Sequence, residues 1–129
     1  MILADTDVLI DYLSGISPMR EQLTWLIRSR TLQTTAVNCF EILSGAGQDR
    51  QGDAARALLA DIPSLPLDRA AAECAALVRR RLDRTGQKID TGDSLIAGIA
   101  LANDLPLLTR TRKHFSRIPN LKLVDVQTV

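Results

Sequence analysis

Short strand-like runs, apolar or rich in β-branched residues, alternate with longer segments of helical periodicity along this chain. The runs have the length of buried strands, and they lie at Met1–Ala4, Leu32–Val37, Pro106–Thr109 and Leu121–Val126. Between them, apolar residues recur at helical spacing, most clearly at Ala71, Cys74, Ala75, Val78 and Leu82. Because strands and helices alternate, we predict an α/β fold with a central parallel sheet that is covered by helices on both faces.

Cap residues, prolines and glycines divide the helical segments. Ser17 and Pro18 are typical of a helix start, with proline at the first helical position, and Trp25 belongs to the apolar side of that helix. The segment between Pro63 and Pro66 is predicted to be extended. Further helices are predicted at Asn38–Ser44, at Ala54–Ile62, after an N-cap at Asp68, and after an N-cap at Asp90 or Thr91.

The composition limits the classes of function. The chain has 129 residues, the size of one domain, and we expect residues 1–129 to form that domain. The formal net charge is only +1, so no global field attracts nucleic acid or membrane. Cys39 and Cys74 lack CxxC spacing and lie in apolar helical runs, which predicts reduced, buried thiols. Without a basic leader or an apolar stretch of membrane-spanning length, we expect a soluble cytoplasmic protein.

Three acidic residues lie at or near predicted helix starts, each after a strand-like or loop element: Asp5, Glu41 and Asp93. In a parallel sheet such positions fall on the same edge, so their carboxylates can converge. Converging carboxylates repel one another, and they are tolerated when they hold a hard divalent cation such as Mg²⁺ or Mn²⁺. Such an ion activates water and clamps a phosphate oxygen, which is the chemistry of metal-assisted phosphodiester hydrolysis.

Each of these acids also has a structural interpretation. Asp5 can be a solvated turn residue while Thr6 or Asp7 caps the following helix. Glu41 has apolar neighbours and can point to solvent from an amphipathic helix. Asp93 can complete a helix cap and interact favourably with the helix dipole. Taken one residue at a time, the sequence leaves both interpretations open.

Several segments resemble the PIN-domain ribonucleases, and within them the VapC-type toxins of prokaryotic toxin–antitoxin pairs. These segments are LADTDVLIDYL, TAVNCFEILSG, GQKIDTGDSLIAGIALANDLPLLTRTRKHF and IPNLKLVDV, and they span almost the whole chain in the family's order. The resemblance implies a three-layer α/β/α PIN-like fold and a Mg²⁺- or Mn²⁺-dependent endoribonuclease. Asp5, Glu41 and Asp93 match the family's catalytic, metal-binding acids. The resemblance also implies a homodimer that is inhibited by a cognate VapB-type antitoxin.

The chain departs from the family pattern at two positions. Thr111 stands in the turn after the fourth strand, where the family often has Asp or Asn, so a fourth metal-site carboxylate is missing. Its hydroxyl group can still position a water molecule. Asp7 replaces the more frequent Asn, which places a further charge close to Asp5. Asp7 is therefore a secondary candidate, as an outer ligand, a helix cap, or both.

Two basic groups are candidates for contacts with phosphate. The first is the turn that contains Arg110, Arg112, Lys113 and His114, which we predict to grip the RNA backbone beside the acids. The alternative is a solvated loop. The second is the run Arg79, Arg80, Arg81 and Arg84 at the end of the long helix. A favourable interaction with the helix dipole explains this run at least as well as phosphate binding does.

Two other functions compete with the nuclease. The stretch Asp5-Thr6-Asp7-Val8 after a strand also resembles the nucleophile motif of haloacid-dehalogenase-like phosphatases. That family needs a downstream lysine and a later acidic pair, and this chain has Thr109-Arg110-Thr111 at the comparable place. A catalytically silent PIN-like module that binds RNA or protein is the other alternative, because Thr111 is not an acid.

Overall fold

A five-stranded parallel sheet forms the centre of the computed structural model, which describes residues 1–125. The strands are β1 (Ile2–Ala4), β2 (Leu32–Thr35), β3 (Ser64–Leu65), β4 (Leu107–Leu108) and β5 (Leu123–Val124). They lie in the order β3-β2-β1-β4-β5, and every neighbouring pair is parallel. The strands β2 and β3 thus lie on one side of β1, and the later strands β4 and β5 lie on the other side. The switch point lies between β1 and β4, at the carboxyl edge where such sheets bind ligands.

Helices cover both faces of this sheet, and each face has its own apolar core. The helices within residues 1–125 are α1 (Thr6–Leu13), α2 (Met19–Arg28), α3 (Ala36–Gly45), α4 (Arg50–Asp61), α5 (Arg69–Arg84), α6 (Thr91–Ala102) and α7 (Arg112–Phe115). Ala4 and Leu108 pack with residues of α1, α2 and α4. Leu3 and Leu107 point the opposite way and pack with residues of α5, α6 and α7. The predicted three-layer α/β/α fold with a central parallel sheet is therefore confirmed.

The helices α5 and α6 pack closely against each other because small residues face each other at their contact. Gly98 on α6 lies against Ala71 and Ala75 on α5, and all three are buried. A Cβ atom at Gly98 would lie 2.5 Å from the carbonyl oxygen of Ala71 and 2.6 Å from the Cβ atom of Ala75. This contact fixes α6, whose first turn carries Asp93.

Several predicted boundaries differ from the structure. The helix predicted to start at Pro18 starts at Met19, because the hydroxyl of Ser17 donates to Glu21 (2.7 Å) and makes no cap bond. The strand predicted to continue to Val37 ends at Thr35, whose side chain caps α3. The helix predicted from Ala54 begins at Arg50, after the cap Asp49. The predicted cap at Asp68 is confirmed by its bond from the Ala71 N–H group (2.9 Å). Val126, the predicted end of the last strand, lies outside the described residues.

Two large side chains of the predicted helices are exposed. Trp25 is 62% exposed and Phe40 is 71% exposed, so neither belongs to the core. The buried face of α2 is formed instead by Met19, Leu23 and Leu26. Both cysteines are free thiols, as expected, but they are half-buried rather than buried. No helix within residues 1–125 combines the length and apolar character that a membrane crossing requires.

The contact at Gly98 gives a prediction about stability. We expect Gly98→Ala to lower the free energy of unfolding by about 1–3 kcal/mol, because the added methyl group overlaps with the backbone of α5. Urea unfolding measures this change. Gly45→Ala is the matched control, since a Cβ atom at Gly45 meets nothing within 4 Å, and it should leave the free energy of unfolding nearly unchanged. Equal stability of the two variants would contradict the close contact.

Candidate active site

Asp5 lies at the switch point, directly after β1 and at the N-cap of α1. Its Oδ1 atom accepts hydrogen bonds from the backbone N–H of Thr6 (2.8 Å) and from Nδ2 of Asn38 (3.0 Å). Its Oδ2 atom accepts from the hydroxyl of Thr109 (2.7 Å). The side chain is buried, with 6% exposure of the residue. Asp5 is therefore the cap itself, and the alternative in which it is solvated while Thr6 or Asp7 caps the helix is wrong.

Burial sets the charge state of Asp5. Burial raises the pKa of the carboxyl group, the bonds from Thr109, Thr6 and Asn38 lower it, and the nearby charge of Asp7 raises it, so that the net pKa is about 6. The donors around Asp5 are all neutral. Near neutral pH the carboxylate is thus ionised at an energetic cost, and a bound cation would remove that cost.

Glu41 is joined to Asp5 by a chain of hydrogen bonds. Asn38, one turn earlier on α3, donates through Nδ2 to the hydroxyl oxygen of Thr6 (2.9 Å) as well as to Asp5. The Thr6 hydroxyl donates in turn to Oε1 of Glu41 (2.6 Å). The other carboxylate oxygen, Oε2, faces the start of α6, where a Cβ atom at Gly92 would lie 3.1 Å away. Glu41 is exposed, as an amphipathic helix predicts, but it points toward the other acids.

Asp93 lies in the first turn of α6, next to Gly92. Its Oδ2 atom lies 3.1 Å from Nδ1 of His114 on α7. Burial raises the pKa of the Asp93 carboxyl group, and His114 partly opposes that effect. Asp90 is the N-cap of α6 but makes no side-chain cap bond. Asp93 is therefore held by a side chain from another element.

Contacts thus link the three predicted acids: Asn38 and Thr6 connect Asp5 to Glu41, and Glu41 Oε2 faces Gly92, the residue before Asp93. Within residues 1–125, however, no group of three or more His, Cys, Asp or Glu side chains is close enough to hold a metal ion as the side chains stand. The donor chemistry still fits Mg²⁺ or Mn²⁺, because all three acids offer carboxylate oxygens and Asp5 is buried without a cation. A hard cation that keeps several water ligands needs only a few of these oxygens.

Asp7 connects α1 to the turn after β4. Its Oδ2 atom accepts from the backbone N–H of Arg110 (3.0 Å) and the hydroxyl of Thr111 (2.8 Å), and it lies 3.3 Å from the hydroxyl of Thr109. Its Oδ1 atom is buried and has no hydrogen-bond partner within the described part of the chain. Asp7 is not the helix cap, because Asp5 has that role. The Thr111 proton is directed to Asp7, which leaves only the hydroxyl oxygen of Thr111 available to a water molecule.

Three of the four basic side chains in the turn already form contacts with other residues of the chain. Arg110 forms an ion pair through Nε with Oδ2 of Asp11 (2.7 Å), and Arg112 donates through Nη1 to the carbonyl oxygen of Val124 (3.2 Å). His114 faces Asp93. Among these four residues, Lys113 alone has no hydrogen bond or ion pair within residues 1–125. Arg110 therefore stabilises the turn, and Lys113 is the best placed to meet a phosphate group.

Three residues of the site were not predicted from the sequence: Asn38, Thr109 and His114. Asn38 is fully buried and holds both Asp5 and Thr6. Its spacing of one helical turn before Glu41 was a usable signal, because such residues share a helix face. Thr109 follows β4 at the same edge as Asp5. His114 was interpreted as part of the basic turn, and no sequence pattern indicates its contact with Asp93.

Comparison with known proteins identifies the family. The PIN domain model matches residues 2–121. Ribonuclease VapC10 of Mycobacterium tuberculosis is 34% identical over 125 residues, which cover 95% of this chain and 91% of that protein. A chain of Rickettsia felis VapBC2, solved with a DNA fragment from its promoter, has a TM-score of 0.82 at 22% identity, covering 96% of this chain and 98% of that one. A chain of FitAcB from Neisseria gonorrhoeae has a TM-score of 0.79 at 23% identity and full coverage of both chains.

The two structural matches show the shared fold. The two sequence matches, which also extend over nearly the whole chain, show the family. The chain therefore belongs to the PIN-domain family, and within it to the VapC group.

Proposed function

We propose that this chain is a divalent-metal-dependent endoribonuclease, and that it is the toxin of a type II toxin–antitoxin pair. Mg²⁺ or Mn²⁺ is held by Asp5, Glu41 and Asp93, and a VapB-type antitoxin inhibits the enzyme. The whole chain acts as one PIN domain, in the cytoplasm and as a homodimer. The observation that supports this proposal most is the hydrogen-bonded connection from buried Asp5 through Asn38 and Thr6 to Glu41.

In the proposed hydrolysis, the metal ion and the residues around the acids have different roles. A bound divalent ion supplies a water of lowered pKa and neutralises charge on the phosphate group. Asn38 and Thr109 fix the two oxygens of Asp5, and Thr6 fixes one oxygen of Glu41. His114 fixes one oxygen of Asp93 and leaves the other without a hydrogen bond in residues 1–125. The reaction needs no protein nucleophile, since water attacks the phosphodiester.

The relatives support the partners in this proposal. VapC10 is named a ribonuclease, and the structural neighbours from Rickettsia felis and Salmonella typhimurium are VapBC complexes bound to DNA. The fold and the PIN match argue against the phosphatase alternative. The silent binding module remains the alternative to test, because Thr111 is not an acid and the acids form no closed metal cluster in residues 1–125.

Removing one carboxylate charge should abolish cleavage. We expect Asp5→Asn and Asp93→Asn each to lower Mg²⁺- or Mn²⁺-dependent cleavage of a tRNA and structured-RNA pool by about 100-fold or more, because each removes a metal ligand charge without changing volume. Both variants should also relieve growth arrest on expression. EDTA should stop the wild-type reaction.

The control for this experiment is Asp61→Asn, which changes an exposed acid on α4 that makes no hydrogen bond or ion pair in residues 1–125. It should cut as the wild type does. RNA binding without cleavage by folded wild-type protein, under every metal tested, would instead support the silent module.

The raised pKa of Asp5 predicts an effect on stability without metal. Its pKa of about 6 exceeds the ordinary value of 3.8, so the ionised carboxylate destabilises the fold as pH rises through 4 to 6. At pH 7 this destabilisation is on the order of 3 kcal/mol. We therefore expect Asp5→Asn to unfold at higher urea concentration than the wild type, in EDTA at neutral pH.

Metal ions should change the stability of the wild type much more than that of Asp5→Asn. Mg²⁺ or Mn²⁺ should stabilise the wild type and should have little effect on Asp5→Asn, which lacks the buried charge. Thermal unfolding with and without metal measures both effects. Equal stabilisation of both proteins would show that the ion binds elsewhere.

The basic turn should contribute to RNA binding mainly through Lys113. We expect Arg112→Ala combined with Lys113→Ala to weaken binding and to reduce the slope of log affinity against log salt concentration by about one. Filter binding or fluorescence anisotropy across a KCl series measures this slope. Arg28→Ala combined with Arg30→Ala removes two exposed arginines at the end of α2 and serves as the control. An unchanged slope in the turn variant would exclude the turn from RNA binding.

A further inference from the structure

The second half of α5 borders a basic cavity of about 460 Å³ that the site described above does not use. Arg80, Arg81 and Arg84 line it together with the apolar side chains of Leu77 and Leu101. No Asp or Glu of residues 1–125 lines it. The cavity therefore combines positive charge with an apolar surface.

The three arginines of this cavity form no polar contacts in the described part of the chain. Arg80, Arg81 and Arg84 are exposed, and none makes a hydrogen bond or ion pair within residues 1–125. Their neighbour Arg79 differs, because its Nη1 atom donates to the hydroxyl of Thr91 (3.1 Å). Helix-dipole stabilisation accounts for cations at the end of α5, but it does not require three of them to line one cavity.

The helix that carries these arginines contacts the start of α6 through the bond from Arg79 to Thr91. Thr91 is the first residue of α6, and Asp93 follows in the same helical turn. Arg79 itself does not line the cavity, and the α6 residue that lines it is Leu101, near the opposite end of that helix from Asp93.

The charge around the acids explains why such a cavity is needed. A second cavity, of about 480 Å³, lies beside Glu41, and its other charged lining residues are Asp49 and Arg50, so that two acids face one cation there. A polyanion is repelled there unless cations hold it nearby. Of the cations in the predicted RNA-binding turn, Arg110 is bound to Asp11, and His114 faces Asp93. Arg112 and Lys113 are the other cations of that turn, and cations outside it would add to the binding of RNA.

We propose that the basic cavity of α5 is a second RNA-binding site that holds the phosphodiester backbone away from the bond that is cut. The guanidinium groups of Arg80, Arg81 and Arg84 bind phosphate oxygens, and the apolar surface at Leu77 contacts a ribose or base. Arginine suits this task because its planar group makes paired hydrogen bonds to phosphate. The inference deepens the proposed function, since it rests on RNA as the substrate.

The test compares Arg81→Gln combined with Arg84→Gln against the control Arg28→Gln combined with Arg30→Gln, both in the full chain. Each pair also carries Asp93→Asn, so that RNA stays intact. The probes are fluorescently labelled bulk tRNA and a labelled single-stranded RNA. We expect the α5 variant to bind both probes about 10-fold or more weakly and to lose about 1.4 to 1.8 of its salt slope, and the control to change neither. Arg81→Lys combined with Arg84→Lys should retain most of the slope.

Three results would overturn the proposal: unchanged binding in the α5 variant, an equal loss in the control, or weakened antitoxin binding while RNA binding is retained. The last result would assign the cavity to a protein partner. Thermal unfolding checks that both variants are folded. Cleavage by the wild type tests the proposed function separately, because a chain that binds RNA through α5 but cuts no RNA would keep this site and lose the enzymatic assignment.

Discussion

A carboxylate with neutral donors as its partners is buried at the centre of the sheet edge. The donors to Asp5 come from different parts of the chain: the start of α1, Asn38 on α3 and Thr109 after β4. They meet because β1 lies between β2 and β4 in a parallel sheet. A shift of β4 would leave Oδ2 of Asp5 without its donor Thr109, whereas a shift of β2 would leave Oδ1 with the Thr6 N–H group alone. Polar bonds of this kind fix the register of the edge more strictly than apolar packing does.

The same arrangement makes the site unfavourable in the absence of a cation. Asp5 and Asp7 are like charges in one network, and burial opposes ionisation of both Asp5 and Asp93. The two apolar cores consist of buried residues on the two faces of the sheet. Their packing provides the stability that offsets the unfavourable charges at the edge. The site therefore stores an unfavourable electrostatic free energy that cation binding can release, which couples metal affinity to stability.

Much of the fold and part of the site follow from the sequence. Strand and helix alternation predicted the parallel sheet, and a parallel sheet brings residues such as Asp5 and Asp93 to one edge. The contacts of His114 and Arg110 could not be predicted in this way, because they depend on the direction of side chains in a turn. The prediction of a helix start was wrong where the cap side chain bonds to another side chain, as the Ser17 hydroxyl bonds to Glu21. Periodicity likewise could not show that Trp25 lies outside the core.

A net charge of +1 conceals a strong separation of charge on this small protein. Acids gather at the carboxyl edge, and unpaired arginines gather along the second half of α5. Pairing explains the difference, since Arg110 near the acids is neutralised by Asp11 while Arg81 has no partner in residues 1–125. In the proposed arrangement, a polyanion is attracted to the arginines of α5, and a cation at the acids reduces the repulsion there. The proposal therefore predicts an electrostatic coupling between substrate position and metal binding, although separate helices carry the two groups of residues.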